Sequence, residues 1–547
     1  MANLVLSIRA RATEKPLNAR KSDLKQCCQL LWAVLVLLNI GLAQAVGPTE
    51  VGSNLPDHFE RLTLLESLES TLANQPQLHI QEQQVEISRA LKQQATGQFD
   101  LALAGNFSQA HTNTPLTRSQ SALVVAEGFA PSSNLAQNLS ILNLGATKLF
   151  RTGVQISPLY QTTRTTDNLT TTQGTNVSSI DFTVTVPLLR GRGREAVAAR
   201  ETAAGREVSA TLLDLNQLIS DLFVATASSY WQAVAAGKQL EVAKASEERG
   251  KTYVENVETL IQADRVAKSE INQVAANLAT RTADRIAAEQ NLIAAQQQLA
   301  VAMGLDSDQI TNANFSLEEF PEPEAPRPAD TITKYVQQAF IRRADYLAAQ
   351  IRVDESRILM VSAQNTLKPQ LNVSFQTGAS GLSEGTAPAQ FFNSPYHAIQ
   401  GLDAIGGITY NFPVNNNLAK GEVRQALAGL NQAHLRVTDL SHSISSSVVT
   451  ATSAARNAAL QLDKARESVK SFGLALQAER EKFSLGLNSL VDVLTVEDRL
   501  TTAMATEVSA QLSYALAVTQ VRSATGTIVE PDKTVHSVDR DVFFTLP

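Results

Sequence analysis

The sequence predicts a mainly α protein with a transmembrane β-barrel, made of tandem-duplicated long coiled-coil helices and four β-strands per chain. Three observations lead there. Residues 264–304 align with 486–526 without a gap, at a constant offset of 222. Within both copies apolar residues return every seven positions. Ahead of each long helical stretch the period changes from helical to two, in a chain whose first residues read as an export signal.

Composition narrows the classes first. A chain of 547 residues would ordinarily form three or four globular domains, but 5% aromatics and 2 Trp are sparse for several packed cores. Charged residues at 18% are too few for a disordered polyampholyte. A net charge of -7 argues against nucleic acid as a partner, because phosphate neutralisation needs clustered Lys and Arg.

In residues 1–45, Arg9, Arg11, Lys15, Arg20, Lys21 and Lys25 precede an apolar run from Leu30 to Ala43. The run falls short of the ~20 residues that span a bilayer as a helix. It ends in Ala43-Gln44-Ala45, a small-x-small cleavage pattern, so residues 1–45 read as a signal peptide rather than a retained anchor. Cleavage after Ala45 would remove both cysteines, Cys27 and Cys28. It would also remove six basic and two acidic residues, leaving 40 against 51, a net of -11.

The repeats come next, with boundaries expected at 46–305 and 331–527, a linker at 306–330 and a tail at 528–547. Ile271, Leu278, Leu292 and Leu299 recur at seven-residue steps, as do Val493, Leu500, Tyr514 and Val521. The companion stripes are Val274, Ala288, Ala295, Ala302 and Val496, Ala503, Ala510, Ala517. Large residues on one seam and Ala on the next suit close helix approach. Arg285 and Glu507 interrupt the seams at the same step, either as an ion pair across the repeats or as two solvated faces. Each copy then reads as opening helix (61–94, 331–363), strands, long helix (195–261, 418–484) and shorter helix (266–303, 488–525). The long helices would reach roughly 100 Å and the shorter ones about 57 Å. A short helix of one copy stacked on the opening helix of the other would match one long helix. Gly304 and Gly526 suit helix termination, and PEPEAPRP at 321–328 suits a linker running round the outside.

Asp181-Phe182-Thr183-Val184-Thr185-Val186, Leu371-Asn372-Val373-Ser374-Phe375-Gln376 and Ile408-Thr409-Tyr410-Asn411-Phe412 alternate, and Leu101, Leu103 and Phe107 do so more weakly. The pattern fits a membrane wall or a soluble sheet with one buried face. Long helices leave no globular core for such a sheet to cover, which favours the wall. Four strands cannot close a barrel, so other copies of the chain must pair the edges. The polar stretch 112–173 reads as a large external loop or an extra hairpin.

The chain resembles the TolC family of trimeric outer-membrane efflux proteins, from Leu62 to Gly526. The likeness rests on ANQPQL at 73–78, VPLLRGRGR at 186–194 with a partner FPVNNNLAKGEV at 412–423, and FSLGLNSLVDVLTVEDRL at 483–500. The resemblance implies a homotrimer in the cell outer membrane, with a 12-stranded barrel on a trimeric α-barrel in the periplasm. A periplasmic adaptor and an inner-membrane transporter would be its partners, alongside outer-membrane lipid. Strand would pass to helix at Pro187, Gly191, Gly193 and Pro413. Arg190, Arg192 and Arg194 would meet lipid headgroups or form a solvated rim.

The helix turns at Asp264 and Gly486 would lie at the periplasmic tip on the family geometry. There Asp492 matches the constriction aspartate and Glu270 its counterpart, so both would ring the pore; the other reading is helix N-terminal acids complementing the dipole. Thr495 stands where the family's second acid is usual, Asn488 where an arginine is usual and Phe483 where tyrosine is usual. These departures imply a looser gate. Arg265, Lys268, Leu485 and Gly486 would dock the adaptor.

The seven histidines show no ligand spacing, and no Walker sequence or nucleophile elbow is present. No enzyme activity and no cofactor is expected. The leading function is a passive exit duct for efflux or type I secretion. Its rival is a coiled-coil structural or adhesive surface protein.

Overall fold

The computed structural model describes residues 62–169, 173–263, 267–311, 319–322, 331–399, 401–529 and 540–547. The expected signal peptide with Ala43 and Ala45, most of the linker, and Asp264 and Arg265 at the first tip lie outside them. The described chain opens with α1 (Leu64–Asn74), α2 (Pro76–Thr96), β1 (Leu101–Pro115), α3 (Arg118–Ala126), β2 (Asn134–Leu149), β3 (Gln155–Asp167) and β4 (Thr175–Pro187). Helices α4 (Arg194–Val197), α5 (Ala199–Gln262), α6 (Glu270–Ala302) and α7 (Ser307–Thr311) follow. The second copy holds α8 (Thr331–Arg342), α9 (Ala344–Thr366), β5 (Gln370–Glu384), α10 (Pro388–Asn393), β6 (Asp403–Asn411), α11 (Asn417–Ser484) and α12 (Leu490–Thr525).

Both opening helices are broken once, where single helices were expected. Gln75 is extended (φ -69, ψ 114) because Pro76 disfavours helix at the residue before it. Arg343 is extended in the same way (φ -67, ψ 119) without a proline, and its guanidinium holds Asp345 at 2.6 Å. The shorter helices end against these breaks. Gly304 (φ +75) lies against the Asn74 carbonyl and Gly526 (φ +66) against Arg343, where a Cβ would come within 3 Å of backbone. Each short helix therefore abuts the opening helix of its own copy, which corrects the expected exchange between copies. Along α5, Thr211 meets Ser88 of α2 at 3.1 Å, Thr226 shares a 2.9 Å hydrogen bond with Thr71 of α1, and Gly250 lies against Leu278 and Arg281 of α6. The core gathers at this middle level. Trp231, Tyr230, Phe223 and Met303 are fully buried there, and Phe320 and Phe544 pack on the indole. A stretch of α5 is apolar enough to cross a membrane by composition, but its largest side chains, Phe223, Tyr230 and Trp231, are turned into this core. The described linker touches both long helices: Phe320 stacks on Trp231 of α5, and Glu322 pairs with Arg466 of α11 at 3.0 Å.

Arg285 and Glu507 do not pair with each other. Arg285 of α6 binds Glu247 of α5 at 2.9 Å, and Glu507 of α12 lies 3.7 Å from Arg466 of α11. Each charge closes the seam inside its own copy, with the signs exchanged.

One antiparallel sheet holds six strands among the described residues, in the order β1-β2-β3-β4-β5-β6. Four were expected. The extra pair is β2–β3, a hairpin within the stretch 112–173 that also holds the end of β1 and helix α3. Its period of two is hard to read because Ser, Thr, Gln and Asn occupy positions on both faces. The register places Leu103, Gly105 and Phe107 of β1 level with Ala146, Leu144 and Leu142 of β2, and Leu101, at the end of the strand, level with Lys148. Leu144 then faces Tyr160 of β3, Tyr160 faces Ile180 of β4, and Ile156 faces Val184. Val184 and Val186 face Phe375 and Val373 of β5, and Val373 faces Ile408 of β6. One continuous face is thus apolar, and Leu103, Phe107, Phe375, Ile408 and Tyr410 on it are exposed in the single chain. The opposite face carries Asn106, Asn143, Gln161, Thr183, Gln376 and Thr409.

Candidate functional site

The four helix ends at one pole of the helical body are held together by apolar packing. Val257 of α5, Val274 of α6 and Leu490 and Leu494 of α12 form one buried group, against which Ile261, Ile271 and Phe483 pack. Leu476 of α11 with Val493 and Leu500 of α12 form a second, again touching Phe483. Phe483 is therefore a wedge between the two groups, a role its ring fills without the hydroxyl a tyrosine would add.

Asp492 is exposed and sits at the third position of α12 in a capping box. Ser489 donates to its Oδ2 from the backbone N at 3.0 Å and from Oγ at 2.7 Å, and Asp492 N donates back to Ser489 Oγ at 3.3 Å. The Ser489 hydroxyl and N–H hold the Asp492 carboxyl below its ordinary range. In this geometry Asp492 closes the first turn of α12 while remaining exposed. Glu270 is the first residue of α6, half-buried. Asn488 Nδ2 donates to Glu479 Oε2 at 2.6 Å and to the Glu479 carbonyl at 3.1 Å, tying the turn back onto α11. Thr495 spends its hydroxyl on the Val491 carbonyl at 2.8 Å. Gly486 takes φ +72 in the turn, which flanks it with Leu485 and Leu487, each 73% exposed. Lys268 is also exposed.

About 10 Å along α12 from its start, Glu497 is fully buried and collects cations from three other helices. Arg249 of α5 donates to Oε1, and Arg480 of α11 and the Tyr253 hydroxyl donate to Oε2 at 3.1 Å each. Arg281 of α6, itself 4% exposed, lies 3.7 Å from Oε1 and pairs with Asp498 at 2.9 Å. Burial first, and the Glu497 charge second, push the Tyr253 hydroxyl up, so it stays a donor. A buried ion network adds little to net stability, but it fixes which helix faces meet, since any other register strands a charge. Sequence reasoning passed over this cluster. Its signal was present: Arg281 fills the missing step between Val274 and Ala288 in one Ala stripe, and Glu497 lies between the seam residues Val493 and Leu500.

At the other pole β4 ends at Pro187, and the chain stays tied to the strand beside it, where Leu188 N donates to the Leu371 carbonyl at 2.7 Å and Arg190 N to the Pro369 carbonyl at 3.2 Å. Gly191 (φ +80) and Gly193 (φ +92) turn the chain into α4 and α5. Pro413 follows the end of β6 at Asn411. Arg190, Arg192 and Arg194 are exposed at this joint.

Residues 335–527 match the model of a family described as outer membrane efflux protein. The outer membrane protein TolC of Escherichia coli is 22% identical over 364 residues, which are 65% of this chain and 71% of that protein. The pyoverdine export outer membrane protein OpmQ of Pseudomonas putida is 26% identical over 339 residues, 60% of this chain and 66% of that protein. Among solved structures, the outer-membrane channel OprN superposes with a TM-score of 0.62 at 14% identity, covering 84% of this chain and 89% of that one. The Campylobacter jejuni CmeC outer membrane channel gives 0.61 at 17% identity, covering 91% and 95%.

Proposed function

We propose that the chain is a member of the outer membrane efflux protein family, which residues 335–527 match, and that it is the outer-membrane exit duct of a tripartite efflux or type I secretion system. The observation that carries the reading is a sheet with one apolar exposed face and one polar face, joined to two duplicated coiled coils. In lipid, strands are stable only when every backbone group is paired, so the open edges β1 and β6 call for further copies of the chain. We take the assembly to be a homotrimer in the outer membrane, with the helical part in the periplasm.

Conduction is passive in this scheme. The polar sheet face lines a wet passage, and the inner-membrane transporter supplies the energy through a periplasmic adaptor. Leu485, Gly486 and Lys268 present an apolar and basic tip that suits an adaptor's helical hairpin, and Arg265 adjoins it in sequence. Asp492, ionised because Ser489 stabilises its charge, and Glu270 would ring the pore as acids that attract cations. The test is planar-bilayer recording of purified trimers. Cation-selective conductance that rises in Asp492→Ala, and does not rise in Ser489→Ala, supports the pore role. Equal changes in both variants would reduce Asp492 to a helix cap, and well-folded trimers that never conduct would sink the duct.

A further inference from the structure

We propose that the β2–β3 hairpin is part of the membrane wall, so that each chain contributes six strands to the barrel and three chains contribute eighteen. The proposal rests on the outer-membrane reading above. Three observations support it.

Length is the first. Strands β2 and β3 have 16 and 13 residues, more than the roughly nine to eleven that cross a bilayer when tilted. Patterning is the second. Leu142, Leu144 and Ala146 of β2 and Ile156, Pro158 and Tyr160 of β3 stand on the same face as the apolar residues of β1 and β4, and opposite the same levels. An external hairpin above the headgroups would have no reason to continue that band. The third is the turn at 150–154. It does not project into solvent; it docks in the joint where β4 becomes helix. Gly193 N donates to the Thr152 carbonyl at 3.0 Å, and Arg151 holds Glu201 of α5 with two hydrogen bonds of 2.7 and 2.6 Å. Gly153 (φ +95) lies so close to Gly191 that a Cβ would overlap its carbonyl oxygen. The hairpin thus reaches the periplasmic rim, and the occupant of its apolar face is the acyl layer already facing β1, β4, β5 and β6.

Strands about 4.8 Å apart and tilted about 40° put a twelve-strand ring at a diameter of about 24 Å and an eighteen-strand ring at about 36 Å. The outer-membrane section would then be wide enough to pass cargo that a twelve-strand ring excludes.

Single cysteines at Leu144 and Tyr160, and at Asn143 and Gln161 on the opposite face, test this in a Cys27→Ser, Cys28→Ser background. Trimers in vesicles would be treated with a membrane-impermeant maleimide. Leu144→Cys and Tyr160→Cys should react at least tenfold more slowly than Asn143→Cys and Gln161→Cys. Leu103→Cys and Phe375→Cys on the flanking strands are controls. If these are protected while both hairpin positions react freely, the hairpin lies outside the membrane and the proposal fails. If the controls react freely too, the membrane reading itself fails. Electron cryo-microscopy of the unmodified protein in nanodiscs gives an independent result: six wall strands per chain are expected, and four overturn the proposal.

Discussion

Replacing Glu497 tests whether the buried ion network fixes how α5, α6, α11 and α12 meet near their ends. Its carboxylate is fully buried and receives Arg249, Arg480 and Tyr253, with Arg281 at 3.7 Å. Glu497→Ala removes the anion and leaves the cations. Arg480 is about half exposed and can turn to water, so its loss is small. Arg281 keeps Asp498 and donates to the Ser246 carbonyl at 3.0 Å, which limits its share. Arg249, a quarter exposed, keeps Thr501 at 3.3 Å and is the most affected. Removing one partner of a buried pair costs about 3–5 kcal/mol; with these residual partners the lower end, about 3 kcal/mol, is expected. Glu497→Gln keeps an acceptor and should cost about 1–2 kcal/mol. The effect concentrates where α5, α6, α11 and α12 meet, so the functional signature is a rise in open probability in planar bilayers, larger for Ala than for Gln. Thermal unfolding of the purified protein measures the stability part. A Glu497→Ala protein that gates and melts like the wild type would refute the reasoning, because a stranded buried charge cannot be silent.

Two further outcomes follow from the same physics. Gly304→Val imposes a side chain at φ +75 against the Asn74 carbonyl and should cost about 1–3 kcal/mol, read as a lower unfolding temperature with unchanged single-channel conductance. Glu355 of α9 is pushed up to about 7 by burial and by the adjacent Glu207. Between its ordinary range and pH 7 the folded chain holds the extra proton, so stability should fall as pH rises through that window and level off above it. Glu355→Gln should remove this slope and be more stable than the wild type at pH 8 by about 1–2 kcal/mol, measured as urea midpoints at several pH values.

The duplication was legible because a heptad seam records its own register. Ile271 and Val493 sit at equivalent steps, and the helices formed where those steps run. Gly304 and Gly526 marked helix ends because few other residues adopt positive φ. Strands β4, β5 and β6 were legible because the lipid-side residues are large and apolar while their neighbours are polar. The β2–β3 hairpin was not legible, since Leu139, Ile141 and Leu149 fall on the face opposite Leu142 and Leu144 and blur the alternation. At the tip, Asp492 was visible as an acid at a helix start. That its carboxylate folds back on Ser489 depends on the turn conformation.

The sequence by itself determined the local periods: two long coiled coils, their shared register, the helix ends at Gly304 and Gly526, and most of an amphipathic wall. Only the tertiary structure decided what is paired across distance. It joined Glu497 to arginines 248 and 216 positions before it and 17 before it, set Arg285 on Glu247 and not on Glu507, and seated the turn at 150–154 in the Gly191–Gly193 joint. The physical reason is that periodicity fixes which face of an element is buried. Which neighbour that face meets depends on how the helices and strands lie together in the folded chain.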